Sequence, residues 1–103
     1  MLSISFDPER EWWVSGKVFD RLYDAAIAYG KMPSDLISWR YIADANGGLG
    51  LDLESPSDAH RFETALRDSA ERELRTLERS TENETYRVSL EKLLDLLAHP
   101  KAE

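Results

Sequence analysis

The chain has 103 residues, 42% of them hydrophobic and 32% charged, with a formal net charge of −7, and a length of this order holds one domain. Three Trp, four Tyr and three Phe supply the aromatic side chains that a disordered chain lacks. There is no run of about 18 apolar residues to span a bilayer, no basic stretch leading an apolar one as in a signal peptide, and no cysteine for a disulfide, a thiol nucleophile or a zinc–thiolate site, so the expectation is a cytoplasmic domain.

Leu2, Ile4 and Phe6 alternate with Ser3, Ser5 and Asp7, which predicts a strand with one buried and one wet face. Asp7-Pro8-Glu9-Arg10 has turn chemistry, with Asp at the first position and Pro fixing φ at the second. Trp12-Trp13-Val14 then predicts a second strand closing a hairpin. Val18, Phe19, Leu22, Tyr23, Ala26 and Ile27 recur at spacings of three and four, so a helix begins at Ser15 or Gly16 and stops at Gly30 and Pro33.

Residues 35–53 admit two readings. As a helix, Ser34 is the N-cap and Gly47 the C′ residue. As a hairpin, Ile37, Trp39, Tyr41 and Ala43 form one row, Leu49, Leu51 and Leu53 the facing row, and Asn46-Gly47-Gly48 the turn. The β preference of Ile, Trp and Tyr and the Asn-Gly pair favour the hairpin. Ser55, Pro56 and Asp58 form a helix start, followed by the stripe Ala59, Phe62, Leu66, Ala70, Leu74 and Leu77. Thr81 to Glu84 is a capping box for a last helix that buries Tyr86, Leu90, Leu93, Leu94 and Leu97 and ends at His99-Pro100. The expected architecture is α+β, a small antiparallel sheet of two hairpins packed against helices in the order ββα-ββ-αα. It forms a single domain over 1–99 with a loose tail at 100–103.

The sequence assigns no catalytic residue. His60 falls on the polar rim of a helix, and His99 at a helix end where its imidazolium suits the dipole. Asp52, Glu54 and Asp58 near His60 lack the regular spacing of a calcium loop, so neither a metal nor a cofactor is expected. Asn46-Gly47-Gly48-Leu49-Gly50 has no neighbouring Lys or Arg and reads as a turn rather than a phosphate loop.

A binding surface is better supported. Eight of the ten aromatics fall in the first 41 residues. Trp12 and Trp13 are adjacent in a strand, so they point to opposite faces. Sharing a face with Val14 places Trp12 inward and Trp13 outward. Under the hairpin reading, Arg40, Ile42, Asp52 and Glu54 join Trp13 on the outer face, which is either open or covered by the third helix. Residues 1–60 hold five basic and ten acidic side chains, and Asp20, Asp24 and Asp44 are candidates to steer a basic partner. The acidic balance opposes direct contact with nucleic-acid phosphate or an anionic membrane. Arg at 61, 67, 72, 75, 79 and 87 interrupts any carboxylate field dense enough to mimic DNA. These features point to a non-enzymatic protein-binding domain that inhibits or regulates a basic protein, for example an immunity or antitoxin-type inhibitor. The alternatives are an adaptor or homodimerisation domain using the same sheet face, and a small enzyme with no recognisable motif.

Overall fold

In the computed structural model, which describes residues 1–98, strand β1 (Leu2–Asp7) and strand β2 (Arg10–Val14) pair antiparallel. Leu2 stands opposite Val14, Ser3 opposite Trp13, Ile4 opposite Trp12 and Ser5 opposite Glu11. Asp7 Oδ1 accepts hydrogen bonds from the backbone N–H groups of Glu9 and Arg10, each at 2.9 Å, so an aspartate side chain builds the turn. Helix α1 (Gly16–Ala28) starts where the Ser15 hydroxyl accepts from the Val18 N–H at 3.2 Å. It buries Val18, Phe19, Leu22, Tyr23 and Ala26 and is stopped at Tyr29 and Gly30.

The next stretch corrects the hairpin expectation. Ser34–Leu36 is a 3-10 turn and Trp39–Asn46 is helix α2. Strand β3 (Gly48–Gly50) pairs parallel to β1, with Ser3 beside Gly48, Ile4 beside Leu49 and Ser5 beside Gly50. The fold is α+β, with a three-stranded mixed sheet ordered β2-β1-β3 and one hairpin rather than two. Burial explains the outcome. Leu36, Trp39 and Ala43 recur at helical spacing and are buried, while Tyr41 is exposed. Trp39 packs its ring 5.0 Å from that of Phe62. A strand would send Trp39 and Tyr41 to the same face. Tertiary burial of one helical stripe thus outweighs the β preference of Ile, Trp and Tyr.

Gly47 terminates α2 with φ +74°, its N–H on the Ala43 carbonyl. A hairpin turn and a helix C-cap make the same demand for a left-handed backbone, so Asn-Gly fits either. Gly47→Val is expected to cost about 1 kcal/mol or more, seen as a lower urea midpoint at unchanged slope.

Leu51–Leu53 forms a second 3-10 turn. Helix α3 (Pro56–Thr76) follows, with the Ser55 hydroxyl accepting from the Asp58 N–H at 3.2 Å, and helix α4 (Thr81–Ala98) completes the described chain. The core lies between these helices and the sheet face made by Leu2, Ile4, Phe6, Trp12, Val14 and Leu49. Trp12 Nε1 donates to the Ser89 carbonyl of α4 at 3.2 Å. Arg10 bonds Asp7 at 2.6 Å and reaches Glu63 at 3.3 Å, fastening the hairpin to α3. Buried Arg87 donates from Nη1 to the Leu74 and Leu77 carbonyls, each at 3.3 Å, satisfying acceptors left open at the end of α3. His99 and the expected tail at 100–103 lie outside the described residues.

Two buried tyrosines make the fold sensitive to alkali. The Tyr23 hydroxyl donates to the Leu36 carbonyl, and burial pushes its pKa up to about 12. Burial, then the hydrogen bond to Glu73, pushes Tyr86 up as well. Both folded values lie above the ordinary phenol value, so the neutral forms are favoured by folding. That stability is intact below about pH 10 and drains as the pH climbs through the raised values. The expected result is a melting temperature that falls steeply above about pH 10 and falls less steeply in Tyr23→Phe.

Candidate functional site

The side chains that leave the core alternate with those that enter it, so the register defines the opposite sheet face. Ser3 and Ser5 occupy it from β1, Glu11 and Trp13 from β2, and Gly48 and Gly50 from β3. Trp12 is 3% exposed and its neighbour Trp13 is 60% exposed, so no helix covers this face at β2. The Ser3 hydroxyl donates to Glu11, which holds that carboxylate beside the indole across the strand pair. The middle of the face is low, because Ser and Gly are all it offers.

The β3 side has its own border. A Cβ built on Gly50 would lie 3.3 Å from Asp52 Oδ1 and 3.4 Å from Leu53 Cδ1. Gly50 pairs with outward-facing Ser5, so Asp52 and Leu53 stand at the outer face. Leu53 is 85% exposed, contrary to its expected place in the inward row of a hairpin. Glu54 follows it and is also exposed. The face therefore runs from Trp13 and Glu11, across two serines and two glycines, to Leu53 and Asp52. None of these residues is basic.

Arg40 and Ile42 do not belong to it. They sit on α2, a consequence of the helix that replaces the predicted strand. Arg40 turns back onto α1, with Nη1 2.8 Å from Asp24 Oδ1, Nη2 3.6 Å from Asp20 Oδ1 and the guanidinium 5.0 Å above the Tyr23 ring. Burial works against its charge, but the hydrogen bond and charge of Asp24, with Asp20, leave the Arg40 pKa above its ordinary value. Asp20 and Asp24 share Arg40 in a bridge between α1 and α2, while the Asp24 side chain stays 68% exposed. Asp44 and Ile42 are exposed on α2, Ile42 beside exposed Tyr41. Of the eight residues expected at the surface site, the structure brings Trp13 and Asp52 to the outer face and leaves Glu54 exposed beyond Leu53. It adds Glu11, Leu53 and the small-residue floor. Glu11 was legible from its i, i+2 spacing to Trp13, whereas Leu53 was not, because its position depends on a 3-10 turn.

Elsewhere Glu73 accepts from Tyr29 Oη at 2.6 Å and Tyr86 Oη at 2.8 Å. Arg72 lies 4.0 Å over the Tyr29 ring and Arg21 4.0 Å over that of Tyr86. This arrangement ties α1, α3 and α4 together. Beside it, Ser15, Lys17, Val18, Arg21, Glu82, Thr85 and Tyr86 line a cleft of about 360 Å³. His60 is exposed on α3. Among the described residues no three His, Cys, Asp or Glu side chains converge as a metal site requires, and no helix is long and apolar enough to cross a membrane.

Comparison of the chain with protein-family models, with curated proteins and with solved structures finds no match.

Proposed function

We propose that the chain is a small protein-binding domain that docks a basic protein on the outer face of its sheet and inhibits or regulates it, as an immunity or antitoxin-type inhibitor does. The observation that carries this reading is Trp13, held 60% exposed on a strand whose inner neighbours are fixed in the core. An indole on a rigid strand loses little entropy on binding, and tryptophan is among the residues most enriched at interface hot spots. Glu11 beside it and Asp52 across the sheet supply charge of one sign, which favours encounter with a basic surface. The same field disfavours a homodimer through this face, because the twofold would set these carboxylates against their copies.

The test compares capture by the wild-type chain, Trp13→Ala and a Glu11→Lys/Asp52→Lys double variant from a lysate of the native host. A basic protein retained by the wild type is expected to lose affinity for Trp13→Ala by about thirtyfold, the equivalent of a 2 kcal/mol hot spot. The charge reversals are expected to slow association and flatten its dependence on salt. Equal affinity of the wild type and Trp13→Ala for the captured protein overturns the reading. Asp20 and Asp24 are unsuited to this test, since altering them also breaks the Arg40 bridge.

A further inference from the structure

The outer face has a shape that selects among basic partners, and the following inference rests on the protein-binding reading above. We propose that the occupant is an amphipathic helix of the partner, with apolar residues on the face that meets the sheet and Lys or Arg along both flanks. Three features of the face lead there.

The first is width. Trp13 stands on β2 and Leu53 beside β3, with β1 between them. Two interstrand spacings separate β2 from β3 by about 10 Å, so a helix of about 10–12 Å diameter lying across the sheet spans both side chains and places one apolar stripe over the gap. The second is the floor. Ser5 and Gly48 keep the middle of the face low, while the Glu11 carboxylate lies on Ser3 and Asp52 and Leu53 lie over Gly50, so apolar side chains of a helix can reach the sheet in the gap between the indole and Leu53. The third is backbone chemistry. The hydrogen-bonding groups of a sheet lie in its plane and offer nothing to a chain lying on its face. An extended segment there would lose water from its own N–H and C=O groups without replacement, whereas a helix satisfies them internally. Edge pairing at β3 is a poor alternative, since the strand has three residues and two are glycine. Charge completes the description: Glu11 lies on the β2 side of the face and Asp52 on the β3 side, so the matching helix is basic on both flanks. A second copy of this chain would bring acid to acid.

The experiment uses three synthetic 18-residue peptides and the intact chain. One has leucines at helical spacing with Lys and Arg elsewhere; the second has the same composition with leucine and lysine alternating; the third is the helical peptide with Glu for every Lys and Arg. Binding is read from backbone amide shifts of the labelled protein. The basic helical peptide is expected to shift Ser3, Ser5, Glu11, Trp13, Gly48 and Gly50 and to bind at least tenfold more tightly than the other two. Ser5→Phe fills the floor and is expected to weaken that binding at least tenfold at an unchanged melting temperature, while Ser5→Thr retains it. If Trp13→Ala weakens binding and Ser5→Phe does not, the helical mode falls and the protein-binding reading stands. If neither variant matters, or the shifts centre on other elements, both fall. Equal binding of the alternating peptide, or no binding of the basic helical peptide at millimolar concentration, overturns the helical mode.

Discussion

Replacing Gly48 by alanine is expected to destabilise the protein by about 3 kcal/mol or more, the combined cost of overpacking and backbone strain. A Cβ at this position would lie 2.0 Å from the Ser3 carbonyl oxygen and 3.0 Å from the Ser3 carbonyl carbon, and φ is +157°. The obstacle is backbone of the central strand, which cannot rotate away as a side chain would. Relief therefore requires β3 to move off β1, at the expense of the bond from the Ser3 N–H to the Gly47 carbonyl (3.1 Å) and of the parallel pairing beyond it. Leu49 and Leu51, both buried, would be drawn out with it. For a domain of this size the loss corresponds to a fall in melting temperature of about 15 °C. Gly50→Ala is the control. There the nearest atoms are the ends of the Asp52 and Leu53 side chains at 3.3 and 3.4 Å, which can yield, and a cost below about 1 kcal/mol is expected. A Gly48→Ala protein that melts with the wild type would contradict the parallel β1–β3 register.

The contrast between the two glycines also separates what the sequence could disclose from what it could not. Local chemistry was readable where a helix or turn carries its own signal. Ser55 and Pro56 mark the start of α3, Ser15 that of α1, and the alternation Leu2, Ile4, Phe6 reveals the inner face of β1. Residues 35–46 failed because two patterns coexist in them. Ile37, Trp39 and Tyr41 alternate as a strand does, while Leu36, Trp39 and Ala43 form a helical stripe. Only the presence of Phe62 and the core below decides between them. Gly47 compounds the ambiguity by suiting either a turn or a cap. The parallel placement of β3 depends on a close approach between Gly48 and Ser3, which are far apart along the chain. The bridge from Arg40 to Asp20 and Asp24 is equally non-local. It turns Arg40 back onto α1 and pairs it with Asp20 and Asp24, away from the sheet face to which composition alone would assign them. At the outer face the balance is reversed. Trp13 and Glu11 follow from strand alternation, whereas Asp52 reaches the border through the 3-10 turn at Leu51–Leu53 and not through a second hairpin.

The pair Trp12 and Trp13 offers the comparison with the widest expected separation, because chemistry and position along the chain are nearly constant and only the facing differs. Trp12 is 3% exposed, buried with Ile4 and Val14, and its Nε1 donates to the Ser89 carbonyl. Trp12→Ala removes an indole from a close-packed core and leaves a cavity between β2 and α4, at an expected cost of about 3–5 kcal/mol. Against the total stability of about 5–15 kcal/mol typical of a small domain, this approaches loss of the fold. Trp13→Ala removes the same group from a face that touches solvent, and an effect within about 0.5 kcal/mol is expected. Chemical denaturation of the two variants measures both quantities. Comparable losses would mean that the outer face is covered as firmly as the inner one, leaving nothing there for a partner to bind. A stable Trp13→Ala protein beside a nearly unfolded Trp12→Ala protein would leave the exposed indole without a structural role in the isolated chain. Trp13 would then be free to serve the binding role proposed for it, and its effect on partner affinity becomes the measurement that decides.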